Sequence, residues 1–231
     1  MTTGELADAT IAFDLDGTLV DTAPDLVRAL NETLDLEGLP HAKLATVRHL
    51  VGQGARRLIE RATEMAGANF STERLDQLTT AFIEFYRADI AGSSAPFPGV
   101  TDALDQLAAD GAKLSVCTNK RTDLSQQLLE ALNLSRYFSA VVGADAVTHC
   151  KPHPEHYRAA IERAGGTVRR SVMIGDTTAD VAAARAAGAP VVVVVRFGYC
   201  DGGADSLGAD VVLDRYSDLA PICRRLLTAH S

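Results

Sequence analysis

The chain has 231 residues, 47% of them hydrophobic and 23% charged, which is the make-up of a globular protein with one full core and a smaller appendage. Its formal net charge of −8 supplies no bulk positive field. Nucleic acid and anionic membrane surfaces are therefore excluded as partners, and any phosphate site has to be built locally. Its four cysteines, Cys117, Cys150, Cys200 and Cys223, are scattered without a C-x-x-C pair, as reduced thiols are, and not as a zinc site or a disulfide framework.

The opening stretch from Met1 to Ala9 is polar, carries Glu5 and Asp8, and does not read as a signal peptide. The longest strongly apolar run, Ala189 to Val195, is too short to span a bilayer, so a soluble cytoplasmic protein is expected. Thr10 to Phe13 is β-branched or apolar throughout, as a strand buried on both faces of a parallel sheet is. Asp14 follows at the carboxyl end of that strand, where open α/β sheets place their ligands. A carboxylate there has two uses, as a hard ligand for Mg²⁺ or as a nucleophile. Asp16 follows one residue on. Gly17 allows a tight turn against a ligand, with neighbouring N–H groups free to face an anion.

About a hundred residues separate this strand from the next apolar run, and their pattern is helical. Pro24 to Leu36 opens on a proline and carries Leu26, Leu30 and Leu34 on one face. A second helix is expected over Ala55 to Ala66. A third, after Ser71, carries Leu75, Leu78, Phe82 and Phe85 at helical spacing, read as bundle core. Gly52-Gln53-Gly54 begins like a dinucleotide fingerprint, but Arg56 follows where glycine is needed and no strand precedes it. Ala95-Pro96-Phe97-Pro98-Gly99 is a stiff connector back to the α/β part. The division expected is a core of residues 1–20 and 97–231 and a helical cap of residues 21–96, joined by two linkers near Val20 and Pro96.

Strand-like runs then recur at Leu114–Cys117, Ala140–Val142, Val172–Ile174, Val191–Val195 and Val211–Leu213, with helical patterns between most of them. That alternation implies an α/β fold with a doubly wound parallel sheet. Thr118 and Asn119 end the first of these runs, where the Thr118 hydroxyl can donate to a phosphate oxygen. Lys151 is a cation fixed beside Pro152, able to neutralise carboxylates and an incoming phosphoryl group. His153 and His156 have no further histidine or cysteine to complete a zinc set and are assigned to the surface. Val172 to Ile174 runs into Gly175-Asp176, so Asp176 repeats the strand-end position of Asp14, and Asp180 falls on the first turn of the next helix. Two strand-end acids on neighbouring strands can share one Mg²⁺.

In order, Asp14-Leu15-Asp16-Gly17-Thr18, Thr118-Asn119, Lys151-Pro152 and Gly175-Asp176 with Asp180 resemble the motifs of the haloacid dehalogenase superfamily of phosphatases. They cover almost the whole core, and the helical insert resembles the small helical cap of that superfamily. Val20 to Leu26, Val51 to Arg56, Thr118-Asn119-Lys120 and Phe197-Gly198-Tyr199 are similar to the bacterial branch that hydrolyses 2-phosphoglycolate; Phe197 and Cys200 depart from its pattern.

The resemblance implies that Asp14 attacks phosphorus, that Asp16 protonates the leaving alkoxide and then activates water, and that Mg²⁺ is held by Asp14, the Asp16 backbone carbonyl and Asp176. It further implies that Lys151, Thr118 and N–H groups near Asn119 hold the transferring oxygens, while Asp180 positions Lys151 or the metal's water shell. Arg56, with the N–H groups of Gly52 to Gly54, is expected to read the carboxylate of a small phosphorylated metabolite, since a guanidinium fork suits that group. The competing readings are the same chemistry on a sugar phosphate, an amino-sugar 6-phosphate or pyrophosphate, a phosphoglucomutase-type transfer, and a non-catalytic phosphate-binding module. The oligomeric state leaves no mark in the sequence.

Overall fold

Runs of apolar residues without alternation cannot tolerate a wet face, and here the inner ones form strands buried on both sides. The computed structural model describes residues 4–200 and 202–229. In chain order, β1 (Thr10–Phe13), β4 (Lys113–Cys117), β5 (Ala140–Val142), β6 (Ser171–Gly175), β7 (Val191–Val195) and β8 (Val211–Leu213) make one parallel sheet of order β5-β4-β1-β6-β7-β8. After β5 at one edge the chain crosses back to β6 on the far side of β1. The topological switch point therefore falls between β1 and β6, as open α/β sheets arrange their ligand crevices.

Side chains alternate across the sheet. Ile11 and Phe13 join the face covered by α5 (Val100–Ala109), α6 (Thr122–Ala131) and α9 (Leu219–Ala229), through Leu104, Leu107, Leu128, Leu219 and Cys223. Ala12, Met173, Val192 and Val194 join the opposite face, covered by α7 (Pro154–Arg163) and α8 (Thr178–Ala187) through Tyr157, Ile161 and Ala184. Cys117 and Cys223 are buried and Cys150 is exposed, all as free thiols. No helix among the described residues is long and apolar enough to cross a membrane.

The long segment between β1 and β4 folds as α1 (Ala23–Asp35), α2 (Leu44–Arg48), α3 (Ala55–Met65) and α4 (Thr72–Ala88). Helix α1 packs on α4 and α2, and α3 packs on α4. The apolar stripes are those expected, with one correction. On α4 the fourth buried residue is Tyr86, while Phe85 is only half-buried. Helix α2 has no counterpart among the expected elements, since five residues with a single buried side chain, Val47, carry no periodicity.

The two linkers also form strands that the sequence did not announce. β2 (Val20–Asp21) and β3 (Ala95–Pro96) pair antiparallel, and the Phe97 N–H donates to the Leu19 carbonyl at 3.0 Å. On the first turn of α1, buried Asp25 accepts from the N–H groups of Ser93 and Ser94 and from the Ser94 hydroxyl, at 2.6 to 3.1 Å. Both chain crossings are thus bound to each other by backbone and by carboxylate.

Candidate active site

Because β1 and β6 are neighbours in register, the residues that follow them come together. The Asp14 N–H donates to the Ile174 carbonyl at 2.8 Å, so the ladder continues one rung past the strands and sets Asp14 beside Asp176. Asp14, Asp176 and Asp180 are buried, and their carboxylate oxygens lie within 4.8 Å of one another. Lys151, whose side chain is 2% exposed, reaches into this group. Its ammonium is 3.0 Å from Asp14 Oδ1 and 2.6 Å from Asp180 Oδ1.

Each carboxylate is oriented separately. Asp14 Oδ1 accepts from the Leu15 N–H at 2.7 Å. Asp176 accepts from the Thr18 hydroxyl at 2.9 Å and from the Tyr199 N–H at 2.7 Å. Asp180 Oδ2 accepts from the N–H groups of Asp176 and Thr177 and from the Thr177 hydroxyl. Gly17 stands at φ +81°, and a Cβ there would meet Asp176 Oδ2 at 2.5 Å and the Tyr199 ring at 2.7 Å. Only glycine lets the turn after Asp16 press against the Asp176 carboxylate.

The electrostatics follow from burial. Desolvation pushes Asp14 up to about 6, helped by repulsion from Asp180 and Asp16 and opposed by Lys151. Asp176 is raised well above the carboxylate range by burial and by the charges of Asp14 and Asp180. Burial alone would lower Lys151, but Asp14 and Asp180 hold its ammonium above the usual lysine value. Beneath them, burial pushes the Cys117 thiol up to about 12, so it stays protonated and inert.

Beside Asp14 opens a small cavity of about 70 Å³. Asp16, Thr118, Asn119, Gly52 and Gly54 line it. Thr118 is buried and its hydroxyl accepts from the Lys120 N–H at 3.2 Å. Asn119 acts as a strut, its amide donating to the carbonyls of Gly52 and Lys151 at 3.0 Å each. The Asp16 carboxylate lies outside the three-acid group and accepts from Lys120 Nζ at 2.8 and 2.9 Å.

Arg56 is not among the residues lining the cavity; its half-exposed guanidinium is ion-paired with Asp76 of the neighbouring helix. One expectation needs correction. His156 is fully buried. Its Nδ1 accepts from the Lys151 N–H at 3.1 Å and its Nε2 faces the Val142 carbonyl at 3.0 Å, which fixes the Nε2–H tautomer. Burial lowers its pKa to about 4, so the ring stays neutral and braces the loop that carries Lys151. His153 is at the surface as expected, beside His149 and Glu155.

Three residues of the site escaped the sequence reading. Lys120 and Tyr86 meet in the cavity wall, with the ammonium 4.6 Å from the ring centroid. Tyr199 ties the site to the linker, donating its hydroxyl to Asp21 at 2.6 Å and accepting from the Ala23 N–H at 2.9 Å. Lys120 and Tyr199 stood inside stretches already singled out, but nothing local named their partners.

A family model described as haloacid dehalogenase-like hydrolase matches residues 11–194. A phosphoglycolate phosphatase of Caulobacter vibrioides is 51% identical over 225 residues, covering 97% of this chain and 94% of that protein. Among solved structures, a predicted phosphoglycolate phosphatase from Haemophilus somnus superposes with a TM-score of 0.85 at 29% identity, covering 96% of this chain and 99% of the other. CbbY from Rhodobacter sphaeroides, in complex with xylulose-(1,5)bisphosphate, superposes with a TM-score of 0.77 at 26% identity over 91% of this chain and 96% of the other.

Proposed function

The chain belongs to the haloacid dehalogenase-like hydrolase family and is a phosphoric monoester hydrolase, and on that premise we propose that it hydrolyses 2-phosphoglycolate to glycolate and phosphate through a phosphoryl group carried on Asp14. The observation that carries the chemistry is the buried set of Asp14, Asp176 and Asp180 with Lys151 bonded between two of them, at the switch point of a parallel sheet. The substrate is supported by the Caulobacter vibrioides relative.

Asp14, fixed by the Leu15 N–H, presents an oxygen to phosphorus. A phosphorus–oxygen bond forms on Asp14, the bond to the ester oxygen breaks, and the electron pair leaves on that oxygen, which takes a proton from Asp16. Asp16 then accepts a proton from water as the water oxygen attacks phosphorus, and the bond to Asp14 breaks. Lys151 and the Thr118 hydroxyl face the transferring oxygens and stabilise the charge that gathers on them.

Four carboxylates, those of Asp14, Asp16, Asp176 and Asp180, meet two ammonium groups, those of Lys120 and Lys151, and the imbalance together with an all-oxygen donor set fits Mg²⁺. Asp14, the Asp16 backbone carbonyl and Asp176 would hold it, and Asp180 would keep Lys151 in place. Bound there, the cation offsets repulsion between the Asp14 carboxylate and a phosphate dianion. Residues 21–96 serve in this reading as a cap over a core of residues 1–20 and 97–231.

The test is phosphate release from 2-phosphoglycolate beside a panel of sugar phosphates, an amino-sugar 6-phosphate and pyrophosphate, in Mg²⁺ and in EDTA, with Asp14→Asn as the control. A Mg²⁺-dependent kcat/KM for 2-phosphoglycolate well above the rest is expected. A higher value for another panel member overturns the substrate, and activity retained by Asp14→Asn overturns the mechanism.

A further inference from the structure

The cavity beside Asp14 has mainly apolar walls, with Leu26, Leu50, Leu58, Phe82 and Leu124 among them. Among the described residues, two cationic side chains line it, Lys120 and Arg121. Arg121 is exposed and its guanidinium is engaged by Asp123 at 3.1 Å. Lys120 is the buried one, its side chain 6% exposed, and it bonds both oxygens of Asp16. The Tyr86 ring flanks it, and the Tyr86 hydroxyl is buried in the same wall. An apolar cavity that accepts an anion must supply a partner for the charge it desolvates.

The dimensions of the substrate decide which partner is in range. In 2-phosphoglycolate the carboxylate carbon is two bonds from the ester oxygen, about 2.4 Å away by ordinary bond lengths. When Asp16 gives that oxygen its proton, the two stand at hydrogen-bond distance, about 2.6–3.2 Å. A cation already held on Asp16 is then within one side-chain adjustment of the substrate carboxylate, whereas Arg56 is held by Asp76 outside the cavity wall. Resting on the reading of the reaction given above, we infer that Lys120 is the residue that selects a carboxylate-bearing phosphate ester, its ammonium bridging Asp16 and the substrate carboxylate, with the Tyr86 hydroxyl as a second donor.

A lysine suits this position. Its ammonium has three donors on a compact head, so it can serve two carboxylates at once within a narrow space.

The experiment compares two substrates in the wild type and in Lys120→Met. One is 2-phosphoglycolate; the other is ethyl phosphate, which has the same ester linkage and no carboxylate. Losing a charge-assisted hydrogen bond predicts that the ratio of kcat/KM values, 2-phosphoglycolate over ethyl phosphate, falls by roughly 10- to 100-fold. A ratio that does not move, with both substrates losing equally, overturns the inference and leaves Lys120 as a positioning residue for Asp16. If the wild type shows no preference for 2-phosphoglycolate, the substrate reading itself has failed, and that outcome is separate.

Lys120→Met also strips Asp16 of its partner, so turnover could vanish for every substrate. Calorimetry then decides without turnover, using 3-phosphonopropionate, the methylene isostere of 2-phosphoglycolate, against propylphosphonate. The wild type is expected to favour the carboxylate-bearing phosphonate and Lys120→Met to lose that preference by a similar factor. A preference retained in a folded variant overturns the inference.

Discussion

Asp180 and Lys151 form the buried joint of the site, with Asp180 Oδ1 2.6 Å from the ammonium and Oδ2 anchored by two backbone N–H groups and a hydroxyl. The joint fixes where Lys151 stands relative to Asp14. Asp180→Asn keeps the shape and removes the charge that holds the ammonium. A fall in kcat of about 10- to 100-fold is expected, with a smaller change in KM, as for other supporting carboxylates around a charged site. Steady-state kinetics check it, and a kcat equal to that of the wild type contradicts the role.

Asp14 and Asp176 titrate above the ordinary 3.8 in the fold. The folded, metal-free protein therefore holds more protons than the unfolded chain from about pH 4 to about pH 6, and these two groups make it less stable as pH rises through that window. His156, lowered from 6.5 to about 4, works in the opposite direction and adds stability as pH rises through the same range. It does so with or without a cation. The gap in Tm between Mg²⁺-loaded and EDTA-treated protein is thus expected to widen from about pH 4 to about pH 6. Thermal melts at several pH values measure it, and a constant gap contradicts a cation bound by these carboxylates.

Tyr199 holds Asp176 through its backbone N–H and holds Asp21 through its hydroxyl. Tyr199→Phe removes only the second. The unpaired linker groups cost about 1–3 kcal/mol, which is a drop in Tm of several degrees for a chain of this size. The affinity for Mg²⁺ is expected to stay unchanged, because the N–H contact survives. Calorimetry for both quantities distinguishes this outcome from general damage to the site.

Gly17 and Gly188 share a left-handed backbone, at φ +81° and +87°, but not their surroundings. A Cβ at Gly188 meets nothing within 4 Å, whereas one at Gly17 strikes Asp176 and Tyr199. Gly188→Ala is expected to cost about 1 kcal/mol and leave kcat intact. Gly17→Ala carries the same backbone cost and also displaces Asp176, so activity falls much further than stability. Melts and kinetics on the pair test the contrast.

Arg56 and Asp76 pair on the surface of the helical segment, both more than a third exposed. Such pairs contribute about 0–1 kcal/mol. Arg56→Ala is expected to keep kcat/KM for 2-phosphoglycolate within about fivefold of the wild type, since a change below 1 kcal/mol stays in that range. A loss of a hundredfold returns the carboxylate-reading role to Arg56.

The strand-end acids were legible because a buried strand dictates where its last residue goes. Once Ile11 to Phe13 and Val172 to Ile174 lie side by side, Asp14 and Asp176 have no other place to be. Lys120 was not legible. Its partner Asp16 is 104 positions away, and its neighbour Tyr86 arrives on a helix of the inserted segment. Arg56 read as a reader of anions because sequence shows a guanidinium but not the acid across the helix pair that occupies it. His156 read as surface for want of a further zinc ligand, which says nothing of the Val142 carbonyl that its ring meets in the interior.

All six strands of the sheet run in one direction, and Asp14, Asp176 and Lys151 gather where they end. At the opposite edge, where they begin, Tyr157 and Ser171 share a buried hydrogen bond of 2.7 Å and Lys113 donates to the Gly165 carbonyl. Damage at the starting edge reduces how many copies of the protein are working, while damage at the finishing edge reduces how fast each copy works. Position along the strand axis thus sorts the protein's variants into those seen by an expression gel and those seen only by an assay.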